Sequence, residues 1–237
     1  MREPLTLAVA QPHVVSHDLA ANVATHAAVV RAAGARVVVF PELSLTGYEL
    51  EASTVDITDP RLGPLVEACA SAGALALVGA PVDGPHIAML AVDAGGVAVA
   101  YRKVNLGGDE TARFVPGGGP VAIDVDGWRL GLAICKDTGV PRHAADTAAL
   151  GIDMYVAGVA EDRPDVLAER AHRTATAHGV WVAVASFAGP TGGGFDTTAG
   201  RSTVVDPSGV VVARAGAEPG ESVRATLRAG SGARAAT

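Results

Sequence analysis

The chain has 237 residues, which at about 150 residues per domain allows one large α/β domain or two small ones. With 49% apolar residues, 18% charged residues and a mean hydropathy of +0.31, a disordered chain is excluded. Lys and Arg number 18 against 25 Asp and Glu, a net charge of −7. With no basic cluster, that balance argues against binding nucleic acid or an anionic membrane.

Apolar β-type runs alternate with helical stretches along the chain. Strands are predicted over 5–10, 36–40, 75–79, 86–92 and 97–101, then 121–125, 129–134, 154–157, 181–185, 202–206, 210–213 and 222–227. Helices are predicted over 17–33, 61–72, 141–150 and 164–178. Ser16 is the expected N-cap of the first helix and Gly34 its stop. Two strand pairs read as hairpins, one around 93–96 and one around 207–209. Twelve strands in that mixture are too many for one simple doubly wound sheet; two packed sheets with helices outside accommodate them better. No internal repeat and no interdomain linker is evident, and residues 1–237 read as a single domain. Residues 229–237 are small and polar and are expected to form a flexible tail.

Cys69 and Cys135 cannot make a disulfide framework, which points to a reducing compartment. The N-terminus enters an apolar strand with no leader-like region, and no apolar run approaches the ~20 residues of a membrane span. The expectation is a soluble, cytoplasmic protein.

Three reactive side chains follow apolar strands. Val37-Val38-Val39-Phe40 leads into Pro41-Glu42, residues 97–101 lead into Arg102-Lys103, and residues 129–134 lead into Cys135. Sites in α/β architectures gather at the carboxyl ends of strands, so residues far apart in sequence can converge there. Cys135, between a strand and a turn, suits a nucleophile with backbone N–H groups nearby. Each residue alone also has a plain structural reading: Cys135 a small core residue, Glu42 a turn carboxylate, Lys103 a solvated strand end. Cys69 lies in an apolar helix and reads as core. A thiol needs a base or a nearby cation. None of the seven histidines follows a strand as Glu42 and Lys103 do. A buried Glu can serve as base, and a Lys can stabilise an oxyanion.

The segments Phe40-Pro41-Glu42-Leu43-Ser44-Leu45-Thr46-Gly47-Tyr48, Tyr101-Arg102-Lys103-Val104-Asn105-Leu106 and Leu132-Ala133-Ile134-Cys135-Lys136-Asp137 resemble the Glu, Lys and Cys motifs of the nitrilase, or carbon–nitrogen hydrolase, superfamily. The stretch from Glu110 to Gly117 resembles that family's Glu and Phe-x-Pro-Gly segment. Residues 200–209 resemble its late hairpin. The resemblance runs from Leu5 to Leu227.

It implies an α/β, four-layer αββα sandwich of two mixed sheets with helices on the outer faces, commonly paired as a homodimer through helical faces. It also implies catalysis on a small amide-type substrate without metal or organic cofactor. Cys135 would attack, Glu42 would act as base and Lys103 would hold the oxyanion with the Lys136 N–H. Glu110 would position substrate or Lys103, and Tyr48 would belong to the substrate-binding wall. A small amide or N-carbamoyl compound is the expected substrate. Nitrile hydrolysis, an idle binding protein and a redox sensor built on Cys135 are the alternatives. Lys136 replaces a common aromatic residue; facing the pocket it would favour a substrate carboxylate, otherwise it meets solvent or Asp137. Arg142, Ala177-His178 and Ser186 also depart from the family's pattern. The loop at 189–194 lacks the features of a phosphate loop and is expected at the surface or the pocket rim.

Overall fold

A computed structural model of the protein describes residues 2–228; the predicted tail at 229–237 lies outside these residues. The strands are β1 (Leu5–Gln11), β2 (Val37–Val39), β3 (Leu75–Val82), β4 (His86–Asp93), β5 (Gly96–Arg102), β6 (Ala122–Val125), β7 (Trp128–Ile134), β8 (Met154–Val159), β9 (Trp181–Ser186), β10 (Thr203–Val205), β11 (Val211–Arg214) and β12 (Glu221–Leu227). The helices are α1 (Leu19–Ala33), α2 (Gly63–Ala72), α3 (Pro141–Ala148) and α4 (Pro164–His178). The predicted elements are present, some shorter and several strands longer than expected, with ends that differ by no more than about three residues.

Side-chain alternation sorts the core into three apolar layers. In β1, Leu5, Leu7 and Val9 point between the sheets, where they meet Leu130, Leu132, Met154 and Val156 of the other sheet. Ala8 and Ala10 point outward beneath α1 and α2, with Val38, Ala76 and Val78. On the opposite outer face, Tyr155, Ala157, Val182 and Val184 pack under Leu167, Ala171 and Ala175 of α4. Strands β2, β3 and β8 are buried along their whole length, as expected of parallel strands covered on both faces. The result is the expected αββα sandwich.

The first sheet has the order β12-β1-β2-β3-β4-β5 and the second β11-β10-β9-β8-β7-β6. In each, three parallel strands joined by two helices continue into an antiparallel hairpin: β1-β2-β3 then β4-β5, and β7-β8-β9 then β10-β11. The parallel cores are flanked by antiparallel β12 and β6. The two halves therefore repeat one topology, although the sequence shows no repeat. Backbone ladders and binary alternation tolerate unrelated side chains, so a topological repeat leaves little trace in residue identity. Across the interface β1 faces β9 and β2 faces β8. No helix among the described residues is long and apolar enough to cross a membrane.

The cap of α1 differs from expectation. Asp18, not Ser16, accepts the Ala21 N–H at 3.0 Å, while Ser16 donates its hydroxyl to Glu49 at 2.6 Å. The reason is the turn at His17, whose φ of 61° is left-handed and whose N–H is taken by Thr46 O at 2.8 Å. That turn shifts the helix start by two residues. Gly34 ends the helix in the left-handed conformation, as expected. Replacing Asp18 by Ala should cost about 1 kcal/mol of stability in urea unfolding, and Ser16→Ala under about 0.5 kcal/mol. Equal losses would return the cap to Ser16.

Candidate active site

Glu42, Lys103 and Cys135 all leave strand ends and meet between the two sheets. Beyond β2 the chain is pinned by Phe40 N to Leu77 O at 2.9 Å and Leu45 N to Gly79 O at 2.9 Å. Two glycines, one from each sheet, make room for it. A Cβ on Gly79 of β3 would sit 2.2 Å from Leu43 N, and one on Gly158 of β8 would sit 2.6 Å from Phe40 O. Leu43 itself takes a left-handed φ of 52°. Lys103 follows β5 directly, held by its N–H to Ile87 O and its carbonyl to Gly117 N, both 2.8 Å. Cys135 opens the 3₁₀ turn Cys135–Gly139 with φ 43°. This is a strained strand-to-turn elbow, costing on the order of 1–3 kcal/mol.

The side chains converge on the Lys103 ammonium. Nζ donates to Glu42 Oε1 and to Glu110 Oε1, each at 2.6 Å. All three side chains are 2% exposed or less. Glu110 is further held by the Tyr48 hydroxyl and the Gly107 N–H, both 2.5 Å. Glu42 has no such surplus. Its Oε2 is, among the described residues, the one buried side-chain polar atom without a hydrogen-bond partner. Cys135 is half-buried; its thiol donates to Ala160 O at 3.3 Å and lies near enough to act on the Glu42 carboxyl.

This unequal partnering separates the two carboxyls. Burial pushes Glu42 up to about 7, against the pull of Lys103. Glu110 is also disfavoured by burial, but Lys103, Tyr48 and Gly107 outweigh that and hold it below the usual carboxylate range. Burial works against the Lys103 ammonium too, yet Glu42, Cys135 and Glu110 keep its pKa above normal. Burial and the Glu42 charge raise the Cys135 thiol. At rest above neutrality the site is therefore an ammonium, two carboxylates and a neutral thiol, which ionises only as a base removes its proton. Oε2 of Glu42 is an unpartnered acceptor able to take a proton.

The remaining expected residues are placed as follows. The Tyr48 hydroxyl is committed to Glu110, and its ring meets Phe195 edge-on at 5.2 Å between centroids. Lys136 is exposed and donates its ammonium to Leu106 O at 2.6 Å rather than to Asp137. The 189–194 loop packs onto the site: Thr191 Oγ1 accepts the Tyr48 N–H at 3.0 Å, and a Cβ on Gly193 would lie 2.5 Å from the Tyr48 ring. Cys69 is buried in the core, as expected. The sequence reading missed Gly79, Gly158 and the Ala160 carbonyl. Glycines inside apolar strands hinted at close backbone approach, but nothing local named the approaching segment. Among the described residues, no group of three His, Cys, Asp or Glu side chains is arranged to hold a metal ion.

The space beside Gly158 is a direct test of this packing. Gly158→Ala should destabilise the protein by about 1–3 kcal/mol through overpacking, measured by denaturant unfolding. Wild-type stability would mean that the backbone at 40–43 yields freely.

Comparison with known proteins bears on the family and the fold. The family model described as carbon–nitrogen hydrolase matches residues 6–235. A protein of Pseudomonas protegens named "Hydrolase in pqqF 5'region" is 30% identical over 214 residues, 84% of this chain and 74% of that protein. Among solved structures, the NitN amidase of Nesterenkonia sp. AN1 superposes with a TM-score of 0.85 at 26% identity, covering 94% of this chain and 93% of that one. A cysteine-to-alanine mutant of the Nesterenkonia amidase in complex with butyramide gives 0.82 at 26% identity, covering 94% and 90%. With the family model spanning nearly the whole sequence, this chain belongs to the carbon–nitrogen hydrolase family, within the nitrilase superfamily.

Proposed function

We propose that the protein hydrolyses the C–N bond of a small, non-peptide amide or N-carbamoyl compound through a thioester on Cys135. The observation that carries this reading is the asymmetry around Lys103: Glu110 is saturated, whereas Glu42 keeps one buried oxygen free beside the thiol. Glu42 takes the thiol proton as sulfur bonds to the carbonyl carbon and the C=O π pair moves to oxygen. Lys103 and the Lys136 N–H, at the start of the 3₁₀ turn, donate to that oxyanion. As the C–O π bond re-forms, the C–N bond breaks and the amine leaves with the proton from Glu42. Water then attacks the thioester while Glu42 accepts its proton. The thiol departs with that proton, releasing a carboxylic acid. Two easier steps replace one difficult amide cleavage. Butyramide bound in the Nesterenkonia amidase mutant supports a short acyl amide as the substrate type.

Tyr48, with its hydroxyl committed, acts in this reading by holding Glu110 and by forming the pocket wall with Phe195. The bond to Leu106 O uses one donor of the Lys136 ammonium. Facing the pocket, its remaining donors would favour an acyl chain that ends in a carboxylate. The free cysteines suit a cytoplasmic location, and the helical outer faces suit pairing as a homodimer; a monomer in light scattering at micromolar concentration would refute the pairing.

Ammonia release from small amides, nitriles and N-carbamoyl acids tests the reaction. Cys135→Ala should abolish release while leaving the fold intact; an unchanged rate removes the nucleophile. Lys103→Ala should cost at least about 10²-fold in kcat and also destabilise, because it leaves two buried carboxylates unpaired. A loss below about tenfold in folded protein would remove Lys103 from oxyanion stabilisation.

The base must be ionised, so kcat/KM should fall as pH drops through about 7, the value to which burial raises Glu42. A profile flat down to pH 5 would show that Glu42 is not the base.

A further inference from the structure

Asp137, two residues beyond Cys135, is fully buried and has no part in the steps above. Its carboxylate receives hydrogen bonds from both halves of the site. Oδ2 accepts the Ile134 N–H at 3.0 Å, from the residue that precedes Cys135. Oδ1 accepts the Asn105 N–H and side-chain amide, both 2.8 Å, from the segment that leaves Lys103. The Tyr101 hydroxyl, two residues before Lys103, donates to Oδ2 at 2.7 Å. One carboxylate thus ties the Tyr101 hydroxyl and the Asn105 backbone, on either side of Lys103, to the turn that carries Cys135.

A buried chain behind Tyr101 fixes the direction of these bonds. Tyr101 donates its proton to Asp137, so its oxygen must accept from His143 Nε2–H at 2.8 Å. A neutral imidazole then presents Nδ1 as an acceptor, filled by the Tyr155 hydroxyl at 2.9 Å. Burial holds His143 neutral against the charges of Asp137 and Asp146. Every donor from Tyr155 inward therefore points towards Asp137, and the chain spans β8, α3, β5 and the Cys135 turn.

We propose that Asp137 is a positioning residue that sets the register of Cys135 against Lys103. The proposal rests on the catalytic reading of those two residues. Removing an acceptor oxygen puts a donor amide against Asn105 or Tyr101, and the strained elbow at Cys135 loses the carboxylate that holds it. Misplacement by about 1 Å can cost on the order of 10²-fold in rate.

The test measures turnover of the best amide and, separately, the rate at which acrylamide alkylates Cys135, read by intact-protein mass spectrometry. Asp137→Asn should lower kcat by about tenfold or more with KM within about twofold, and slow alkylation in parallel, while circular dichroism stays native. Tyr101→Phe removes one hydroxyl and should shift both rates the same way by a smaller factor; it carries the test should Asp137→Asn not fold. A lower melting temperature with wild-type kcat and alkylation in the folded protein would overturn the proposal, leaving Asp137 a purely structural residue. Alkylation is independent of turnover, so a wild type that is alkylated at Cys135 but hydrolyses no amide still allows the role of Asp137 to be decided by the alkylation rates of the variants. A wild type that does neither sinks the catalytic reading and this inference together.

Discussion

A single ammonium buried between two carboxylates sets the electrostatics on which the rest of the site depends. A lysine is almost never found so deep without partners, because desolvating a lone charge costs far more than a fold can offset. Glu42 and Glu110 both bond Lys103, which leaves one surplus negative charge in a dry space. That surplus cannot be shared evenly. Glu110 has Tyr48 and Gly107 as further donors and stays ionised; Glu42 has Lys103 alone and is pushed towards neutrality. Two carboxylates of the same kind thus acquire different chemistry from their surroundings, a general route to acid and base function at neutral pH. The same negative surplus discourages thiolate at Cys135, so attack and deprotonation are coupled in the proposed reaction.

Holding that cluster requires backbone from both sheets to approach more closely than side chains allow. The 40–43 segment passes between Gly79 and Gly158, and Gly117 packs onto the carbonyl of Arg102 beside Lys103. Leu43 and Cys135 each accept a left-handed backbone conformation at the two elbows. Such strain persists only where the surroundings over-determine it. Here the surroundings are the apolar layer between the sheets and the hydrogen bonds of Asp137. The repeated topology of the two halves brings β2 against β8, so strand ends from opposite sheets open onto one space.

Much of the site was legible because its chemistry is local in sequence. Glu42, Lys103 and Cys135 each stand in a short segment that follows an apolar strand, and strand ends are where such folds expose reactive groups. Twelve apolar strand segments, some alternating with helices and some paired as hairpins, made two packed sheets the natural reading. The Ser16 cap failed because a left-handed turn at His17, fixed by the distant Thr46 carbonyl, moved the helix start. The fate of Lys136 was equally undecidable from its neighbours. Asp137 stood next to it in sequence, but Tyr101 and Asn105 occupied that carboxylate from across the fold.

The sequence by itself determined the two packed sheets, the strand ends and the short segments that carry Glu42, Lys103 and Cys135, because apolar runs and short motifs are written within a few residues. Tertiary structure alone decided which carboxylate is saturated and which is free, where Lys136 points and why Gly158 must lack a side chain. Those properties depend on burial and on partners tens of residues away, which no local pattern encodes.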